Sequence, residues 1–143
     1  MSKPWEILGK LAEKKSEEAR RALAQIDELI ARVDGRRSQV QGLINENLSR
    51  LNSPERKSMN DIRVVNLFLQ NLTAVMQGLE HERQVLSLHR KNQAEKFREA
   101  RKEEQKMDSL QDREEERKRL LSIKIEQKQM DAAAVSQFNL KRR

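Results

Sequence analysis

Along the first third of the chain, apolar residues recur at alternating intervals of three and four. The row runs through Leu8, Ala12, Lys15, Ala19, Ala22, Ile26, Leu29, Val33, Arg36, Val40, Leu43, Asn47 and Arg50, and nine of its 13 positions are apolar. Such spacing keeps one narrow stripe on one side of a helix, the pattern of a coiled coil. Near Leu43 the pattern slips by one, and Ile44, Leu48 and Leu51 carry it on. Ala12, Ala19 and Ala22 are small enough to admit a second helix at close range. Gly35 and Gly42 each cost about 1 kcal/mol relative to Ala inside a helix, so Asp34 to Gly42 is its softest part. Both are read as packing tolerance, with a hinge as the sharper alternative. Upstream, Pro4 suits a first helical turn, with Ser2 or Lys3 at the cap. The prediction is a helix over about 4–51.

Asn52-Ser53-Pro54 ends that helix, because a residue before Pro is pushed out of the helical region. Ser53 is placed to cap a short turn, and Asn60 or Asp61 to cap the next helix. A turn over about 52–60 is the one convincing interruption. A second stripe then runs through Val65, Phe68, Leu72, Val75, Leu79 and Leu86, with Glu82 its polar break and Ile62, Leu69 and Met76 widening it. From Arg90 to Arg119 charge dominates, leaving Ala94, Phe97, Ala100, Met107 and Leu110 as the apolar residues. Leu120, Leu121, Ile123 and Ile125 form a second apolar cluster, and Met130, Ala132, Ala133, Ala134, Val135 and Phe138 a third. Lys141-Arg142-Arg143 closes the chain with cations, which suit a helix C-terminus. The second helix is predicted over about 59–138.

At 1.5 Å per residue these helices span roughly 70 Å and roughly 120 Å, and so short a turn makes them antiparallel neighbours. The expected fold is all-α: two long helices in an antiparallel coiled-coil hairpin, the second longer and overhanging, forming a single domain over 1–143. If the chain folds about position 55, residue i faces about 110 − i. Pro4 then faces about Lys106, and everything after about Met107 lacks a partner in helix one. That overhang still carries Leu110, Leu121, Ile125, Met130 and Phe138 at helical spacing. An apolar stripe with nothing in the chain to cover it predicts a binding surface, with self-pairing in a homodimer or fraying as the alternative.

Composition agrees with a narrow seam rather than a broad core: 36% of residues are hydrophobic, 37% are charged, and there is no Tyr. The net charge of +7 comes from 30 basic and 23 acidic residues interspersed along the chain, which permits an acidic partner without requiring one. Cysteine is absent, so thiolate chemistry is excluded and a reducing compartment is allowed. No run approaches a membrane span, and the N-terminus lacks the features of a secretory signal, which makes a cytoplasmic protein the simplest reading. Trp5, Ile7, Leu8 and Leu11 with Lys10, Lys14 and Lys15 come closest to a membrane-surface helix, though coiled-coil packing explains them equally well.

Catalytic chemistry finds no footing. His81 and His89 lie eight residues apart, roughly 12 Å along a helix axis, too far to share a metal. Glu103-Glu104 and Glu114-Glu115-Glu116 sit among Arg and Lys at three- and four-residue spacing, as helix-surface ion pairs do. No phosphate loop, nucleophile motif or cofactor fingerprint occurs, so the expectation is a non-enzyme without cofactor or metal. The basic pI of about 9.9 favours nucleic acid. Interleaved acidic residues, scarce aromatics and the lack of a docking motif argue against it.

Several short runs carry a family likeness: Leu11-Ala12-Glu13-Lys14 near the start, Phe97-Arg98-Glu99, Leu110-Gln111-Asp112-Arg113 and Gln127-Lys128-Gln129-Met130-Asp131. With them the chain resembles the FliJ family of flagellar type III export proteins, whose injectisome relatives are central-stalk proteins. The resemblance covers nearly the whole chain and is stronger after Phe68. It implies a non-enzymatic stalk, similar to the shaft of rotary ATP synthases, that inserts into the hexameric export ATPase and promotes its assembly. It further implies a link to the cytoplasmic domain of the export-gate membrane protein, dealings with export chaperones, and a cytoplasmic location at the inner-membrane export apparatus. By this likeness the ATPase-ring contacts are Leu110, Arg113, Ile125, Gln127, Lys128, Met130 and Asp131. The export-gate contacts are Gln39, Leu43, Phe68, Leu72 and Val75. Two departures stand out: no tyrosines in the gate-contacting half, and Ala132-Ala133 where an acidic and an aromatic residue are common. The alternatives are a generic coiled-coil scaffold or homodimerising adaptor and, further off, a helical nucleic-acid binder.

Overall fold

Two helices make up the fold in the computed structural model, which describes residues 4–141. Helix α1 spans Pro4–Leu51 and α2 spans Met59–Lys141, and among the described residues there is no strand. The expected caps at Ser2 and Lys3, and the terminal Arg142 and Arg143, lie outside the described residues. The helices pack against each other as an antiparallel pair, the second of 83 residues against the first of 48. The chain divides into two compact units, Glu17–Arg98 and Met1–Ser16 with Glu99–Arg143.

In the unit Glu17–Arg98, the seam on α1 runs through Ala19, Leu23, Ile26, Ile30, Val33, Arg37, Val40, Ile44, Asn47 and Leu51, all buried or half-buried. On α2 it runs through Val65, Leu69, Leu72, Met76, Leu79, Arg83, Leu86, Arg90, Gln93 and Phe97. All of these are buried or half-buried except Arg90, which is exposed and ion-paired. The spacing of three and four never breaks. Half of the expected seam is thus correct: Ala19, Ile26, Val33, Val40 and Asn47 on α1, and Val65, Leu72, Leu79 and Leu86 on α2. The other half sits one residue away. Ile30 takes the place expected for Leu29, Ile44 that of Leu43, Leu69 that of Phe68, and Met76 that of Val75. Each pair is two adjacent apolar residues, between which periodicity along one helix does not choose. Nor does the α1 pattern slip at Leu43; Ile44, Asn47 and Leu51 continue the same seam.

Asn47, buried in that seam, donates its side-chain amide to the Leu43 carbonyl at 2.7 Å, so its polarity is met within its own helix. Gln93 Nε2 on α2 donates to the Ala19 carbonyl of α1 at 3.3 Å. The other cross-helix bonds of this unit are ionic. Arg83 Nε donates to Asp34 Oδ1 at 2.7 Å, Arg90 pairs with Asp27, and Arg37 lies 3.7 Å from Glu80. In each of these pairs the residue numbers total 117.

That total displaces the expected register, which put residue i opposite 110 − i, by two helical turns. Leu51 at the end of α1 lies level with residue 66, so the first two turns of α2 run beside the connection rather than beside α1. The connection itself advances along the axis before the chain turns back. Asn52 and Ser53 donate their backbone N–H to Leu48 and Arg50, and the Ser53 hydroxyl accepts from Glu55 N–H at 3.3 Å. Ser58, rather than Asn60 or Asp61, then caps α2. Its hydroxyl accepts from Asp61 N–H at 3.1 Å, and the Asp61 carboxylate accepts from Ser58 N–H at 3.4 Å, a reciprocal capping box.

In the second unit, α1 contributes Trp5, Gly9, Ala12 and Ser16 to the seam, and α2 contributes Ala100, Glu104, Met107, Gln111 and Glu114. Ala12 and Ser16 are the buried pair. Gly9 permits a close approach: a Cβ there would stand 3.0 Å from Gln111 Nε2. Lys118 Nζ lies 5.7 Å from the centre of the Trp5 ring, within cation–π range. Residues 9 and 111, or 5 and 118, are therefore neighbours, and α1 covers α2 as far as Lys118. The overhang begins near Arg119, not Met107, which is half-buried. Residues 9 and 111 total 120, so within this unit too the pairing departs from the expected 110 − i.

Candidate partner-binding surfaces

The seam phase determines what each helix leaves outside. In heptad terms the seam rows are a and d, with Gly9, Ser16, Leu23, Ile30, Arg37, Ile44 and Leu51 at a on α1, and Leu69, Met76, Arg83 and Gln111 at a on α2. Antiparallel pairing brings the two e rows together on one flank and the two g rows together on the other.

The e flank of the unit Glu17–Arg98 is polar and closed by charge. Asp27, Asp34 and Glu80 lie on it and meet Arg90, Arg83 and Arg37 from the seam. The hydrogen bond from Arg83 is the chief reason the Asp34 carboxyl sits below its ordinary value; desolvation opposes it, and the charges of Arg83 and Arg37 add to it. The g flank is different. Its rows carry Leu29 and Leu43 on α1 and Phe68 and Val75 on α2, each 40–50% exposed. Leu43 lies level with residue 74, beside Val75. Val64 and Leu67 extend the apolar surface next to Phe68, both more than half exposed.

Of the expected gate contacts, the structure thus brings Leu43, Phe68 and Val75 onto one exposed flank. Exposed Gln39 lies on the same side of α1. Leu72 is in the seam at 8% exposure, beneath Phe68 and Val75. No single-helix pattern marks this surface. Its signal is apolar residues at g on both helices, which is visible only once the phase is known.

In the other unit, every described residue from Glu115 to Lys141 is exposed. The seam pattern continues there through Leu121, Ile125, Lys128, Ala132 and Val135, in phase with Gln111 and Glu114. Leu120, Ile123 and Met130 lie on the opposite side of the same helix. A helix apolar on two sides is one that becomes surrounded. Of the expected ring contacts, Ile125, Gln127, Lys128, Met130 and Asp131 stand on this overhang. Leu110 and Arg113 lie lower, where α1 still covers the seam, and both are exposed on the outside.

The acidic runs behave as helix-surface pairs: Glu104 with Arg101, Glu114 with Arg117 and Glu116 with Arg119, all three apart. The Arg119 hydrogen bond lowers the Glu116 carboxyl below its ordinary value, and the same contact raises Arg119. His81 and His89 are exposed, and among the described residues no three His, Cys, Asp or Glu side chains gather as metal ligands would. Among the same residues no helix is long and apolar enough to cross a membrane.

Comparison with known proteins identifies a family for the chain. The family described as flagellar FliJ protein matches residues 1–143. No curated protein and no solved structure matches the chain. With two packed helices, the second longer, and a family match along its whole length, the chain belongs to the flagellar FliJ family, the non-enzymatic, export-related stalk proteins of the flagellum.

Proposed function

We propose that this chain is the non-enzymatic central stalk of the flagellar type III export ATPase, promoting assembly and activity of the hexameric ring and linking it to the export gate. The observation that carries the reading is the overhang from Arg119 to Lys141, exposed throughout and apolar on two sides. Inside a ring, such a helix meets protein on all sides at once. Ile125 and Met130 supply the apolar contacts on opposite faces, and Gln127, Lys128 and Asp131 supply polar contacts between them. Leu110 and Arg113 meet the ring's entrance. One asymmetric rod in a symmetric pore touches the subunits unequally, which biases them towards different nucleotide states.

The gate contact belongs to the g flank of the other unit. Leu43, Phe68 and Val75 form its apolar bed, Gln39 is its polar margin, and Leu72 holds Phe68 and Val75 in place from the seam. Export chaperones complete the set of partners, at the inner-membrane export apparatus on its cytoplasmic side. No nucleic acid and no cofactor enters this mechanism.

Adding the full chain to the purified export ATPase is expected to raise both ATP hydrolysis and ring formation. A chain ending at Lys118 keeps every seam partner of α1, so its helix content per residue should persist, while its stimulation of the ATPase should fall at least to a tenth. Undiminished stimulation by the shortened chain removes the overhang from the ring.

A further inference from the structure

A second apolar patch occupies the g flank of the unit that contains both chain ends. Leu8 stands at g on α1 and Leu110 at g on α2, and Ile7 and Leu11 adjoin Leu8 on the same side. All four are 49–50% exposed. Gly9 lies against Gln111, so Leu8 and Leu11 are nearly level with Leu110. In a two-stranded antiparallel coil the g rows normally carry charge. Leucine at g on both strands instead makes the bed on which a third helix packs.

The rim of the bed is mainly basic. Lys14 and Lys15 border it on α1, and Lys106 and Arg113 on α2. None of these four makes an ion pair among the described residues, whereas the nearby Arg117 and Glu116 are each paired within α2. A shallow groove along α2 is lined by Lys102, Lys106, Leu110 and Arg113, so the basic rim and the apolar bed share one surface. Glu99 and Glu103 are acidic residues at the α2 margin, likewise without an ion pair among the described residues. Four unmatched cations around four exposed apolar side chains select a partner that is apolar along one stripe and acidic beside it.

From this we infer that the flank formed by Ile7, Leu8, Leu11 and Leu110 docks an acidic amphipathic helix of a partner protein, converting the two-helix pair there into three helices. The occupant's apolar residues at i, i+3, i+4 and i+7 lie across the leucines, and its flanking carboxylates meet Lys14, Lys15, Lys106 and Arg113. The inference goes beyond the stalk reading: Leu110 and Arg113 are shared with the proposed ring entrance, whereas Ile7, Leu8, Leu11, Lys14, Lys15 and Lys106 are not, and the docking needs neither pore nor overhang.

The test uses the full chain and a fluorescein-labelled helical peptide of about 20 residues, with leucines on one stripe and glutamates on both sides of it. A matched peptide carries lysine for every glutamate. Fluorescence anisotropy is expected to show the acidic peptide binding at least about tenfold more tightly than the basic one, weakening as salt is added. Exchanging Leu11→Ser and Leu110→Ser together, both on exposed faces, should weaken the acidic peptide at least about tenfold while leaving far-UV circular dichroism unchanged. Reversing Lys14, Lys15, Lys106 and Arg113 to Glu should transfer the preference to the basic peptide. Equal binding of both peptides overturns the inference, as does acidic-peptide binding that survives both sets of changes. Binding to phosphatidylglycerol vesicles without binding to either peptide overturns it in favour of a membrane surface. No ATPase is present, so failure here leaves the ring contact untouched, and a failed ring assay leaves this docking flank untouched.

Discussion

Leu72 and Phe68 are four residues apart on α2, and the seam phase gives them opposite duties. Leu72 is buried at 8% exposure and meets α1; Phe68, 43% exposed, meets solvent. Truncating a buried leucine loses both transfer free energy and packing, so Leu72→Ala is expected to cost about 2 kcal/mol, at the low end for a thin two-helix seam. Phe68→Ala should cost less than about 1 kcal/mol, because most of the lost surface was never covered in the free chain. Binding to the gate's cytoplasmic domain should respond in the reverse order when stability is held constant, with Phe68→Ala the more damaging. Chemical denaturation and a pull-down on the same two variants separate the effects. Equal stability losses would put the α2 phase in error.

At the scale of the element, the helices and their limits were legible from single residues. Pro4 opens α1, which spans Pro4–Leu51, Asn52-Ser53-Pro54 follows it, and α2 spans Met59–Lys141. Two quantities were not legible. The seam phase depends on whether Ile30 or Leu29, and Met76 or Val75, meets the other helix, which is settled by the fit of both helices together. The axial register depends on how far the connection climbs before Ser58 starts α2, and a midpoint estimate assumes that it does not climb at all. The soft segment fares differently. Gly35 and Gly42 have open space where a Cβ would go, with nothing within 4 Å, so close packing does not explain them. Gly35→Ala and Gly42→Ala should each stabilise the chain by about 1 kcal/mol through helix propensity alone, read as a rise in melting temperature. If the double variant is more stable yet supports less motility, the glycines serve as a hinge.

For the whole molecule, charge determines how stability follows pH. Neutral pH leaves a net +7, and protonating the 23 carboxylates moves the chain towards the full charge of its 30 Lys and Arg, which favours unfolding by self-repulsion. Glu17, Asp34 and Glu116 hold their protons more weakly when folded, through hydrogen bonds from Arg20, Arg83 and Arg119 respectively. A depressed carboxyl contributes stability above its unfolded value, and that contribution is lost as pH falls through the folded one. Melting temperature should therefore fall as pH drops through and below the ordinary carboxylate range. Asp34→Asn should be less stable than the parent at neutral pH, and the difference should close in acid. A gap that persists unchanged at low pH would mean that the Arg83 hydrogen bond does not depend on the charge of Asp34. The family and the two-helix architecture were readable at this scale, because composition, stripe and short motifs agreed. The partner surfaces became definable only with the phase in hand.

The unbroken run of α2 from its covered part into the overhang has a consequence for recognition. The first turn of a helix is the unfavourable one, and an isolated peptide of the overhang's length must form it anew in water. Here the turns around Met107 and Gln111, held by α1, already provide that nucleus, and the segment beyond Arg119 need only propagate it. A partner therefore meets a helix whose backbone is already ordered, and little of the binding energy is consumed in ordering it. The segment of residues 4–16, which meets α2 only below the overhang, thus acts as its template.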